Sequence, residues 1–257
     1  MTRPDRRAPK SRIVSWLGWA GLDAVSRMAL MTGSTVVFTF FARAGRDAGE
    51  LRRLGGQVVA QSALVTTPIF VGMAAVAPVL LPLVAGPGWD DAAQIAVCLS
   101  VASAIAVPAG LFFTAFSSQA RPEFNLYSLV VDLFAVMLAL TGFAWLRPIS
   151  VGLSRIAGDS IRALFAIGLP MKDFDWPRRE RFAALAPAWL LAGAMGASVA
   201  LLHRIVATQT PIAQLAILIA AGVAIYLGLL AIFARRRAAF LLAYLPISQL
   251  RAGRPAA

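Results

Sequence analysis

Long apolar stretches and short polar gaps alternate along the whole chain. Seven of these stretches can each cross a bilayer, whose hydrocarbon core of about 30 Å needs roughly 20 apolar residues per helix. Helix is the expected state, because backbone groups in lipid must find hydrogen-bond partners within their own segment. A membrane barrel would instead show strands of roughly ten residues with alternating character. The predicted spans are 13–42, 57–84, 92–116, 124–146, 151–169, 182–202 and 211–234.

We therefore predict an all-α, polytopic transmembrane helix bundle of about seven spans. The composition agrees with this prediction, since 59% of the 257 residues are hydrophobic and only 14% are charged, whereas a soluble domain is about 25% charged. The predicted parts are a basic N-terminal tail at 1–12, the helical bundle at 13–235 and a basic cytoplasmic tail at 236–257.

Basic residues lie in alternate gaps between the spans and predict an orientation. They concentrate after the first and fifth spans and in the C-terminal tail; the gap after the third span holds Arg121, and the remaining gaps hold at most one arginine each. By the positive-inside rule, these gaps and the C-terminus are cytoplasmic, in a cell (inner) membrane. The net charge of +12 lies mainly at span ends, where anionic membrane lipid attracts it, so nucleic acid is not expected as a partner.

The N-terminal tail conflicts with this orientation. It carries five basic residues, yet seven spans and a cytoplasmic C-terminus place it outside the cell. Either the first span does not cross the bilayer fully, or the tail is not the native start of this architecture. The segment after the tail is too long and too charged for a signal peptide.

The run at 38–93, FTFFARAGRDAGELRRLGGQVVAQSALVTTPIFVGMAAVAPVLLPLVAGPGWDDAA, combines a charged gap, a long proline-containing helix and a Gly–Trp turn. It resembles the polysaccharide-export flippases of the multidrug/oligosaccharidyl-lipid/polysaccharide transporter superfamily. Thr39 departs from the pattern, since that family usually has proline there. The later G-x-x-x-Y of Gly222 and Tyr226 resembles the last helix of the same family. The other matching positions are Pro68, Pro78, Pro82, Gly86 and Trp89.

The resemblance implies a flippase that moves lipid-linked oligosaccharide or polysaccharide precursors by alternating access between two lobes. Such transporters have twelve to fourteen helices, and this chain resembles the C-terminal lobe alone. The resemblance therefore implies a homodimer or a separately encoded N-terminal lobe as partner. The alternative is a membrane scaffold, or a truncated remnant with no activity of its own, because one lobe cannot enclose a cavity between two.

Two ionisable residues lie in the first predicted span, where each costs about 2.5–3.5 kcal/mol on insertion scales. Asp23 and Arg27 are four residues apart and can pair on one helix face. They are either a self-neutralising pair or a cation that faces a polar cavity. The resembled family often has a basic residue near this place, which implies substrate contact by Arg27, with Asp23 as its charge partner.

A second charged set lies in the fifth predicted span. Arg155, Asp159 and Arg162 share one helix face, so one positive charge is uncompensated within that helix. For a flippase, we expect Arg155 and Arg162 to contact the anionic headgroup, because guanidinium groups bind phosphate oxygens in pairs. Arg155 can alternatively snorkel to the interface. Asp132 in the fourth span pairs with Arg27 or Arg162, takes part in cation coupling, or makes only a hydrogen bond or ion pair that packs two helices together.

Signatures of enzyme chemistry are missing from the sequence. The chain contains no zinc-protease, nucleophile-elbow, P-loop or paired-cysteine motif. We therefore expect no enzyme activity, no cofactor and no metal site.

Overall fold

The structure is a computed structural model. It describes residues 41, 48–86, 88–118, 123–146, 149–168, 176–206 and 208–233. Both predicted tails lie outside these residues, as does the first predicted span except for Phe41, and so do Asp23 and Arg27.

Every regular element in the described part of the chain is helical, which confirms the all-α prediction there. A single turn of 3₁₀ helix at Ala144–Leu146 follows the third α-helix. The α-helices are α1 (Ala48–Ala85), α2 (Asp90–Ser118), α3 (Glu123–Gly142), α4 (Ile149–Gly168), α5 (Arg178–Ile205) and α6 (Pro211–Phe233).

Five of these six helices are long and apolar enough to cross a membrane, namely all but α4. The described part therefore has the helices of a multi-pass membrane protein. The prediction of about seven spans is not confirmed. The first predicted span falls outside the described residues, and α4 carries three charged side chains within its 20 residues.

The helix α1 lies at the centre of the packing. It contacts α2, α5 and α6, while α4 packs between α2 and α3. Large side chains fill the core, among them Phe112, Leu185 and Leu218 from three helices and Trp176 from the segment before α5. By contrast, α3 buries only Ser128 and exposes apolar side chains such as Leu138 at 76%. This outward apolar surface is what a helix in lipid requires.

A glycine turn joins α1 to α2. Gly86 and Gly88 have φ angles of 95° and 92°, a left-handed region that side chains with a Cβ rarely adopt. The Gly86 amide donates to the Pro82 carbonyl at 3.0 Å and so closes the end of α1. Asp90 and Asp91 then occupy the first turn of α2, where acidic groups interact favourably with the helix dipole.

Two prolines inside the helices are compensated by aromatic side chains of other helices. Pro68 in α1 has no N–H, so the Leu64 carbonyl loses its helical donor. The Tyr226 hydroxyl of α6 donates to that carbonyl at 2.5 Å, and the bond is buried. Freed backbone groups inside a membrane need such a partner, so the tyrosine of the G-x-x-x-Y pattern has a structural role.

The second compensated proline is Pro108 in α2. It deprives the Ala104 carbonyl of its donor in the same way, and the Trp189 indole N–H of α5 donates to that carbonyl at 3.2 Å. At both sites, a backbone hydrogen bond that proline removes from one helix is replaced by a specific hydrogen bond from another helix.

Candidate functional site

A close approach of α3 and α4 brings charged side chains together. Gly158 makes this approach possible, because a Cβ there would lie 2.5 Å from Val136 Cγ2 and 2.7 Å from Asp132 Oδ1. Asp132 lies about 14 Å along α3 and Arg155 about 9 Å along α4, at 1.5 Å per residue. The charged groups therefore lie well inside the length of both helices.

Arg155 lies between two carboxylates. Its Nη2 donates to Asp159 Oδ1 at 2.6 Å, one turn along the same helix. Its Nη1 donates to Asp132 Oδ2 of α3 at 3.3 Å. The two carboxylate side chains are only 5% and 14% exposed, respectively, so the arginine neutralises charges that are largely removed from solvent. It also links α3 to α4.

Arg162 has a different environment. Its guanidinium lies 5.0 Å from the centroid of the Phe113 ring, a cation–π arrangement between α4 and α2. Its Nε is buried and has no hydrogen-bond partner among the described residues. Asp132 Oδ1, also buried, has none either. Two polar groups with unused hydrogen-bonding capacity therefore remain near the helix interface.

The formal charges of this group balance, since it has two arginines and two aspartates. The sequence predicted one uncompensated cation within α4, and Asp132 of α3 supplies the missing negative charge. Asp132 does so by pairing with Arg155. The sequence predicted that Asp132 pairs with Arg162 or with Arg27, which lies outside the described residues. The structure thus joins three of the predicted site residues directly and places Arg162 beside them.

Sequence reasoning missed Phe113, which shapes this group, and it took Gly158 only as a sign that this face of α4 does not contact lipid. Phe113 lies on α2, and no spacing along the sequence connects it with Arg162. Gly158 had a usable signal, since a glycine next to a charged residue within a span permits close contact with another helix.

The group offers cationic and anionic hydrogen-bonding groups at mid-helix depth. Within the described residues, no cluster of histidine, cysteine, aspartate or glutamate side chains is arranged to hold a metal ion. The group can provide recognition of charge inside the membrane, with the guanidinium N–H groups of the arginines as hydrogen-bond donors.

One comparison with known proteins gives a result. Residues 24–94, a little over a quarter of the chain, match the model of a family described as polysaccharide biosynthesis protein. The match covers all of α1, the glycine turn and the start of α2, and it overlaps the run that carried the resemblance. The predicted resemblance to polysaccharide-biosynthesis membrane proteins is therefore confirmed over this segment. No curated protein and no solved structure matches the chain.

Proposed function

We propose that the chain is a transporter-like membrane protein of polysaccharide biosynthesis, acting as one lobe of a flippase for lipid-linked saccharide precursors. The family match at residues 24–94 supports the pathway. The observation that carries the transport step is Arg162, a cation in the interior of α4 with a buried Nε that lacks a partner in the described residues. Charged groups at such depth are costly and usually line a substrate path.

In this proposal the two arginines have different tasks. Arg162 contacts the phosphate of the lipid-linked substrate, because its hydrogen-bonding capacity is unused. Arg155 is held by Asp132 and Asp159 and positions the group, with a secondary contact to the anion. The saccharide headgroup passes through a polar cavity while the lipid tail stays in the bilayer, and the lobes alternate between two openings.

The remaining assignments belong to the same proposal. The protein lies in the inner membrane with its basic gaps and C-terminus in the cytoplasm, and it needs no cofactor. The second lobe comes from a second copy of the chain or from a separate polypeptide.

The test uses a cell whose surface polysaccharide depends on this protein. Arg162→Ala should reduce export at least about tenfold, since a charge-assisted hydrogen bond is worth about 1.5–3 kcal/mol. Arg162→Lys should recover only part of the export, because lysine keeps the charge but loses the planar fork. Arg204→Ala removes an equal charge from the exposed last turn of α5 and serves as the control. Normal export by Arg162→Ala at normal membrane levels would refute the role.

The second candidate function is a scaffold or an inactive remnant. The internal charge balance of the Arg155 group favours it, because a neutral group can also serve packing alone. Sizing of the purified protein distinguishes the two candidates. A strict monomer with no co-purifying membrane partner contradicts transport and supports the scaffold.

A further inference from the structure

We infer that the bundle has a second polar site, at the end where α1 and α5 begin, which binds the phosphate of an anionic lipid headgroup. This site is separate from the charged group of α3 and α4, and it does not depend on transport. We refer to it as the α1–α5 cavity.

The α1–α5 cavity has a volume of about 670 Å³ and lies between the N-terminal part of α1, from Gly49 to Leu64, and the start of α5. Its polar lining side chains are Arg52, Arg53, Gln57, Gln61 and Glu180. This volume is within the range of ligand-binding pockets, about 300–1,000 Å³. The cavity is thus large enough for a glycerophosphate headgroup.

The walls of the cavity are fixed by contacts between α1 and α5. Arg52 Nε donates to Glu180 Oε2 at 2.7 Å, and Arg52 Nη2 makes a second bond to Glu180 Oε1. Trp176, only 4% exposed, lies behind the cavity with its ring edge-on to Phe112 at a centroid distance of 5.3 Å. A Cβ on Gly55 would lie 3.0 Å from Trp176 Cη2. The site is therefore held in shape before any ligand binds.

Among the described residues, the lining of the cavity carries one more positive than negative charge. Two arginines and one glutamate line the cavity, which leaves one excess positive charge. The Arg53 side chain makes no ion pair or hydrogen bond within the described residues. Gln57 and Gln61 follow it one and two turns along α1, on the same face. An arginine fork with amides beside it suits a phosphate and the hydroxyl groups around it.

The depth of the cavity indicates a lipid as the source of the phosphate. At 1.5 Å per residue, Gln61 lies at most about 36 Å and Gln57 at most about 42 Å from Ala85, at the other end of α1. The hydrocarbon core is about 30 Å thick, and the bilayer with its headgroups is about 40–45 Å thick. With Ala85 placed at the opposite membrane surface, the two glutamines are therefore at headgroup level. By the same measure, Arg53 lies at most about 48 Å from Ala85, at the outer edge of the headgroup layer.

The experiment measures lipid binding to the purified full chain in neutral detergent. The probe is phosphatidylglycerol, with zwitterionic phosphatidylcholine as the reference lipid, and bound lipid is counted by native mass spectrometry during titration. Arg53→Ala should weaken phosphatidylglycerol binding at least about tenfold, the size of one charge-assisted contact. Arg53 is exposed, so its replacement leaves the packing intact.

Arg179→Ala is the matched control. It removes the same charge at the same end of the bundle, from an exposed residue that does not line the cavity. Its affinity should stay within about twofold of the unmodified protein, because long-range attraction between exposed charges is screened. Equal weakening by both variants would overturn the inference, since the binding would then be general attraction to a basic surface.

Two further measurements complete the test. Glu180→Gln removes the negative charge from the lining but keeps an amide oxygen that can still accept a hydrogen bond from Arg52. It should therefore tighten phosphatidylglycerol binding, and weaker binding contradicts the electrostatic argument. Titration with inorganic phosphate separates the sources of the ligand. We expect no saturable binding of inorganic phosphate. The assignment to a lipid is overturned if inorganic phosphate binds saturably, Arg53→Ala abolishes that binding, and the protein shows no preference for phosphatidylglycerol.

Discussion

The hydrogen bond from Tyr226 to the Leu64 carbonyl allows a quantitative test of how α1 tolerates its proline. Tyr226→Phe removes the hydroxyl and leaves all ring carbons in place, so packing changes little. The Leu64 carbonyl then loses the donor that replaces the missing N–H of Pro68. Hydrogen bonds of this kind in membranes average about 0.6 kcal/mol and reach about 1.7, and leaving a buried polar group unpaired costs about 1–3 kcal/mol. We therefore expect Tyr226→Phe to lower the free energy of unfolding by about 1–2 kcal/mol.

The same substitution should cost much less when residue 68 can donate. Pro68→Ala restores an N–H, which can bond the Leu64 carbonyl within α1 and make the tyrosine bond redundant. A double-mutant cycle should therefore give a coupling of about 1 kcal/mol between positions 68 and 226. The assay is reversible unfolding in mixed micelles, followed by circular dichroism.

The control for this cycle is Tyr127→Phe on α3. Its side chain is 56% exposed, and its hydroxyl makes no hydrogen bond within the described residues, so its removal should change the unfolding free energy by less than about 0.5 kcal/mol. An equal cost of Tyr226→Phe in the unmodified protein and in the Pro68→Ala variant would refute the reasoning. The stabilising effect of the Tyr226 hydroxyl would then not come from its hydrogen bond to the Leu64 carbonyl.

Three further predictions concern packing, charge and access. Gly196→Ala should destabilise the protein by about 1–3 kcal/mol, because a Cβ there would lie 2.5 Å from a valine methyl of α1; Gly193→Ala, which meets nothing within 4 Å, should be neutral in the same unfolding assay. Arg155→Ala should lower the free energy of unfolding by about 3–5 kcal/mol, and with it the amount of folded protein, because two carboxylates lose their cation. Adding Asp159→Asn should restore part of that stability. The single cysteine, Cys98, is buried, so a membrane-impermeant maleimide should label it only after unfolding, and rapid labelling of the folded protein would contradict its placement.

Hydropathy predicted most of the helices because long apolar runs have few alternatives in lipid. The predicted spans 92–116 and 211–234 correspond closely to Asp90–Ser118 and Pro211–Phe233. The fourth span was predicted too long, since α3 ends at Gly142 and a 3₁₀ turn follows. Apolar side chains continue past that end, so hydropathy does not mark where the helical hydrogen bonds stop.

The contacts between helices were harder to predict. The pairing of Arg155 with Asp159 follows from spacing along one helix, but its bond to Asp132 depends on how α3 and α4 lie against each other. That arrangement requires the missing side chain of Gly158, and a single sequence does not reveal which residues oppose a glycine. The aromatic donors near Pro68 and Pro108 come from helices far along the chain, so the sequence alone did not predict these contacts either.

The bond between Tyr226 and Leu64 also has a consequence for how the protein is made. The two residues are 162 positions apart, which corresponds to roughly 8–30 s of synthesis at about 5–20 residues per second. Throughout that interval α1 is hydrophobic enough to enter the membrane but holds a carbonyl that its own helix cannot satisfy. Entry of α1 into the bilayer and completion of its hydrogen bonding are therefore separate events, and the second waits for the arrival of α6.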